Sequence, residues 1–95
     1  DLPILPSALE YAQQGYNTGA ANRNWESFGQ NITVPYAIEQ WKKNMLADPQ
    51  TSGGLMVSCP AEKAEEIIAL FHAQGYPFAK QIGAMEAGDA HVRVV

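Results

Sequence analysis

Val34, Ile38, Trp41 and Met45 stand four, three and four positions apart, a spacing that lays apolar side chains along one stripe of a helix. Lys42 and Lys43 fall near the C-terminal end of that helix, where cations complement the backbone dipole. Asp48-Pro49 halts it, because a proline ring crowds helical conformation in the residue before it. A second stripe, Ala64, Ile67, Ile68 and Phe71, predicts a helix over 62–74 that Gly75 caps. Its first turns carry Glu62, Glu65 and Glu66 on a solvated face. Ser7 and Glu10 have the spacing of a capping box, so a short helix is expected from there to about residue 14, ended by Gly15 in the left-handed conformation.

Apolar runs at 55–59, 78–85 and 91–95 read as strands, the first stopped by Pro60 and the last two joined by a turn through 87–89. Pro3 marks 2–5 as the tail of an edge strand. The stretch 16–33 is rich in Asn, Gly, Ser and Thr, shows no sustained period, and is expected to be a long loop. Gln-Gly-Tyr occurs at 14–16 and again at 74–76, which reads as one helix-ending device used twice. The order predicts an α+β class, a mixed β-sheet packed with helices, with a parallel pair spanning 55–85 and an antiparallel pair after it.

Composition narrows the function. In 95 residues, 46% are apolar and 17% charged, a balance that belongs to a packed domain and not to a disordered tail. Six basic against ten acidic residues leave a net charge of −4, which excludes the basic surface of a freestanding nucleic-acid binder. No apolar run reaches the roughly 18–20 residues that cross a bilayer, so no membrane partner is expected. Cys59 is the single cysteine; no intramolecular disulfide can form and a cytoplasmic location is expected. Asn31-Ile32-Thr33 matches the glycosylation acceptor pattern, which such a location leaves unused.

The segment richest in chemistry is 48–54. Gly53 and Gly54 let a backbone approach a ligand closely, Thr51 and Ser52 add hydroxyls, Gln50 an amide, and Asp48 a carboxylate for a metal or a donor. Such a loop suits a phosphate or another anion; on composition alone the ordinary reading is a tight polar turn between helix and strand. It is no Walker loop, since no Gly-Lys-Ser/Thr follows. Cys59 ends an apolar run and reads as a small buried thiol; His72 and His91 lack the third group of a triad or metal site, although Asp89 is near His91 in sequence. Trp41 reads as core, while Trp25 and Phe28 in the expected loop are open to a stacking role.

The run Asp48-Pro49-Gln50-Thr51-Ser52-Gly53-Gly54-Leu55 resembles the D-P-Q-T-S-G-G-L signature of the selenophosphate synthetases (selenide, water dikinases) at all eight positions. In addition, Leu5-Pro6-Ser7-Ala8-Leu9-Glu10 resembles that family's L-P-G-A-L-E, Arg23-Asn24 with Ser27 and Gly29 its R-N-x-x-S-x-G, and Ile82-Gly83 its I-G. The likeness runs in order through essentially the whole chain. Where the family usually has P-G-G-T before the Arg-Asn pair, this chain has Thr18-Gly19-Ala20-Ala21 and keeps only Gly19.

The resemblance implies a C-terminal part of the second domain of an ATP-dependent synthetase, of the fold shared with aminoimidazole ribonucleotide synthetase. Residues 1–95 are then one domain fragment, with the catalytic N-terminal domain outside it; the start at Asp1, not Met, fits an excerpt. The family makes selenophosphate, AMP and phosphate from selenide, ATP and water with Mg2+, usually as a homodimer. Its reactive Cys or selenocysteine, nearby lysine and metal-holding aspartates lie upstream, so no catalytic or metal residue is expected here and the fragment alone is expected to be inactive. The implied site residues are Asp48, Gln50, Thr51, Ser52, Gly53 and Gly54, with Gly19, Arg23 and Asn24 beside them. Two alternatives stand: a stand-alone anion- or nucleotide-binding module of the same fold, or a related ATP-dependent synthetase.

Overall fold

Two helices end on the same tripeptide. In the computed structural model, which describes residues 2–95, Gly15 and Gly75 sit at φ +91° and +90°, a region that strains any residue with a β-carbon. Each glycine N–H bonds the carbonyl three residues back, Gly15 to Ala12 at 3.0 Å and Gly75 to His72 at 3.1 Å. The following tyrosine N–H bonds the carbonyl five back, Tyr16 to Tyr11 at 3.1 Å and Tyr76 to Phe71 at 3.0 Å. This pair of bonds satisfies last-turn carbonyls. Each tyrosine ring then meets the ring five residues back edge-on, at 5.6 Å for Tyr11 with Tyr16 and 6.1 Å for Phe71 with Tyr76. The repeated tripeptide is one device used twice, as its sequence suggests.

The chain divides into two compact units, Leu5–Gly54 with Gly88–Val95, and Leu55–Ala87 with residues 2–4. The first holds helices α1 (Pro6–Gln13), α2 (Gly19–Phe28) and α3 (Gln40–Leu46), with strands β1 (Ile32–Thr33) and β2 (Val92–Arg93). Both α1 and α2 pack on α3, and Ala12 and Ala21, small enough to bring backbones close, are buried there. The strands pair in parallel, Ile32 opposite Val92 and Thr33 opposite Arg93, and Val94 N–H extends the ladder to the Thr33 carbonyl at 2.9 Å.

Three expectations are corrected in this unit. The helix α1 begins at Pro6 with Leu5 as its N-cap and no side-chain cap, so the Ser7–Glu10 box does not form. Proline, with a preset φ and no N–H to leave unpaired, suits the first helical position and moves the start forward. The expected loop 16–33 contains α2, whose N-cap Thr18 accepts from Ala21 N–H. The stripe of 34–45 is helical only from Gln40, because Pro35 favours extended backbone before it and Glu39 is extended at φ −66°, ψ 141°. Val34 and Ile38 therefore precede α3.

In the second unit a 3-10 turn, Ala61–Lys63, leads into α4 (Ala64–Ala73). Ala64, Ile67, Ile68 and Phe71 form its shielded stripe, as their spacing predicts. His72 Nε2 donates to the Ala79 carbonyl at 2.8 Å; a carbonyl only accepts, so this nitrogen carries the proton. The expected strands 55–59 and 78–85 do not form among the described residues, and with them the parallel pair across 55–85 and the antiparallel pair after it. A strand exists only beside a hydrogen-bonded partner, and Leu55 and Met56 stand 89% and 83% exposed. The α+β class holds, with the sheet reduced to the parallel pair β1–β2.

Candidate functional site

At the end of α3 the backbone tightens, Ala47 N–H bonding the Asn44 carbonyl at 3.2 Å and Asp48 N–H that of Met45 at 3.3 Å. This delivers the Asp48 carboxylate to the N-terminus of α2. Its Oδ1 accepts from the Thr18 hydroxyl at 3.1 Å and its Oδ2 from Gln50 Nε2 at 2.7 Å. Along α2, Asn24 Nδ2 donates to the Ala47 carbonyl at 2.8 Å, and Trp25 Nε1 to that of Lys43 at 2.8 Å. The Lys43 ammonium lies 4.7 Å from the centre of the Trp25 ring, within cation–π range. Asn24, Trp25, Phe28, Leu46 and Asp48 line an open cavity of about 280 Å³.

The two glycines of the loop differ. The Gly53 N–H closes a turn on the Gln50 carbonyl at 3.3 Å, and a β-carbon there would stand 2.6 Å from Gln50 Cβ. The turn itself demands that glycine. Gly54 would meet nothing within 4 Å, so its backbone lies open to an approaching group. Thr51 and Ser52 are exposed, with their hydroxyls free for a ligand. Gly19 opens α2; a β-carbon on it would meet only Arg23 Nη1, at 3.6 Å, and Arg23 is exposed.

Of the residues singled out in the sequence, Asp48, Gln50 and Asn24 are therefore gathered at the α2–α3 junction, and Gly19 adjoins it through Thr18. Thr51, Ser52 and Gly54 form an exposed crest. Thr18 and Trp25 are the partners that sequence reasoning passed over as members of this cluster. Their signal was a Thr cap followed by Ala21, Trp25 and Phe28 at helical spacing.

The remaining candidates fall elsewhere. Cys59 is half-buried and unpaired. His91 Nε2 lies 2.8 Å from Thr33 Oγ1, beside the β1–β2 pair. Trp41 is only half-buried, with Nε1 donating to Glu39 Oε1 at 3.1 Å. Glu39 also holds Lys42 at 2.7 Å. The Lys42 bond, then that from Trp41, keeps its carboxyl below the ordinary 4.5.

The donor chemistry fits a phosphate better than a divalent cation. The crest offers hydroxyls and open backbone, whereas Asp48 is the one carboxylate of the loop 48–54, with both oxygens already accepting from neutral donors. No three His, Cys, Asp or Glu side chains gather among the described residues.

The family model described as AIR synthase related protein, C-terminal domain, matches residues 15–95. The selenide, water dikinase of Dechloromonas aromatica (strain RCB) is 43% identical over 100% of the chain, which covers 27% of that protein. That of Paraburkholderia xenovorans (strain LB400) is 44% identical with the same two coverages, and that of Rhizobium meliloti (strain 1021) 43% identical over 99% and 27%. The chain thus spans about a quarter of the length of these relatives. No solved structure matches it.

Proposed function

We propose, because the chain belongs to the AIR synthase related protein family as its C-terminal domain, that it serves as the C-terminal part of a selenophosphate synthetase. That enzyme makes selenophosphate from selenide, ATP and water, releasing AMP and phosphate, with Mg2+ bound by residues outside this chain. The role assigned to 48–54 is to receive a phosphate oxygen on the Thr51 and Ser52 hydroxyls and the backbone around Gly54. Gly19, Arg23 and Asn24 on α2 are assigned as secondary contacts, Asn24 through its bond to the residue before the loop. The whole enzyme is a cytoplasmic homodimer that needs neither nucleic acid nor membrane, and residues 1–95 alone do not turn over.

One observation carries this reading. The two segments that resemble the family's motifs, 23–29 and 48–55, lie far apart in sequence, yet α2, which carries most of the first, is tied to the start of the second: Asn24 donates to the carbonyl of Ala47, the residue before Asp48, and Thr18, the N-cap of α2, donates to Asp48 itself. A turn that served only to lead the chain out of α3 has no need of those ties. Gly54 adds to it, since no neighbour in the chain requires a glycine there.

The test uses the full-length gene product that carries this chain, assayed for selenide-dependent formation of AMP from ATP. Thr51→Val, Ser52→Ala and Gly54→Ala are expected to melt like the parent and to lose turnover. A lost hydrogen bond to a charged oxygen corresponds to roughly tenfold to a hundredfold. Full activity in all three would reduce the loop to a connector, and absence of selenide-dependent AMP from the parent would overturn the assignment.

A further inference from the structure

We propose that Thr18 is a positioning residue for the loop 48–54, coupling the first turn of α2 to the loop through its single hydroxyl. The proposal rests on the reading of 48–54 as the phosphate-receiving loop. It comes from the direction each bond must take. An ionised carboxylate only accepts, so Thr18 Oγ1 donates its one proton to Asp48 Oδ1 across 3.1 Å. A backbone N–H only donates, so the same oxygen accepts from Ala21 at 3.3 Å. Both roles of the hydroxyl are thereby filled, one by the first turn of α2 and the other by the loop that follows α3.

From Asp48 the chain of bonds continues into the loop. The other carboxylate oxygen accepts from Gln50 Nε2 at 2.7 Å, and the Gln50 carbonyl accepts from Gly53 N–H at 3.3 Å. The Asn24 bond to Ala47 holds the residue just before Asp48. The turn that sets Gly53 beside the open Gly54 is thus referred, bond by bond, to the start of α2. An N-cap needs only to accept; donation to a residue thirty positions away is the extra function. Thr18 itself is not placed against any ligand, so it acts through Asp48.

Capping and positioning separate by substitution in the full-length gene product. Thr18→Asp keeps a good N-cap acceptor but cannot donate, and sets a second carboxylate against Asp48. Adding Asp48→Asn exchanges donor and acceptor and restores the bond. Thr18→Asp is expected to keep its helix content while kcat/KM for ATP falls about tenfold or more, and amide exchange at Gly53 speeds up by a similar factor. The double variant is expected to recover most of both, whereas a merely structural cap would show no such rescue. Wild-type turnover and exchange in Thr18→Asp would overturn the proposal, as would a double variant no better than Asp48→Asn alone. Amide exchange reads the coupling even in a parent without selenide-dependent activity, so failure of the functional reading and failure of this proposal give different results.

Discussion

A β-carbon on Gly29 would stand 2.9 Å from Cε3 of Trp25, closer than carbon atoms tolerate. The glycine that follows α2 therefore makes room for the indole, whose Nε1 in turn holds the Lys43 carbonyl on α3. Gly29→Ala forces the ring or the backbone to shift, and overpacking of this kind costs about 1–3 kcal/mol. Urea denaturation is expected to show that loss together with a changed tryptophan emission. An unaltered midpoint and spectrum would mean that the ring can swing aside and that the α2–α3 contact does not depend on Gly29.

Gly15 and Gly75 are required for a different reason, their positive φ. Replacing either by alanine places a β-carbon against the following carbonyl, at a cost of about 1–2 kcal/mol. Gly83 supplies the control, having open space and no positive φ, so Gly83→Ala is expected to be neutral or slightly stabilising. Thermal melts of the three variants decide the matter. Equal behaviour of all three would remove the strain argument.

Asn24 offers a test of the tie between α2 and the loop. Asn24→Ala deletes the 2.8 Å bond to the Ala47 carbonyl and is expected to destabilise by about 0.5–1.5 kcal/mol, because the freed carbonyl is only part-buried and finds water. Asn24→Asp keeps the shape but turns a carboxylate oxygen toward a carbonyl oxygen, and is expected to cost more. Chemical denaturation of both variants checks the order; a milder effect for aspartate would show that the amide is not the bond that counts.

What the sequence made legible is what local chemistry decides. The ends of α1 and α4 follow from Gly15 and Gly75, the shielded stripe of α4 from Ala64, Ile67, Ile68 and Phe71, and the end of α3 from Asp48-Pro49. The helix α2 was hidden because Asn22, Asn24 and Ser27 fill its other faces with residues that favour turns, masking a stripe of only three apolar positions. The strand assignments at 55–59 and 78–85 failed, while that at 91–95 holds β2, because an apolar run records a preference for burial but does not name a partner. The pair that does form joins Ile32 to Val92, sixty positions apart, which no local period encodes. For the proposed site, composition singled out the loop 48–54 but not Thr18, which meets it through a bond to a carboxylate thirty positions away.

Glu39 provides the pH-dependent prediction. Its carboxyl is held below 4.5 by the bond from Lys42, with a further contribution from Trp41 Nε1. A group with a lowered value in the folded state binds its proton less readily there than in the unfolded chain. It therefore stabilises the fold above about pH 4.5, and that contribution disappears as pH falls through the lowered folded-state value. Both partners are more than half exposed, at 51% for Lys42 and 57% for Glu39, so salt screens the pair and the effect on overall stability is small. The titration itself is the sharper readout. Carboxyl-carbon NMR is expected to place the Glu39 midpoint below 4.5, and Lys42→Met to raise it while leaving the Trp41 bond in place. A midpoint that does not move on losing the ammonium would show that the ion pair does not set the protonation of Glu39.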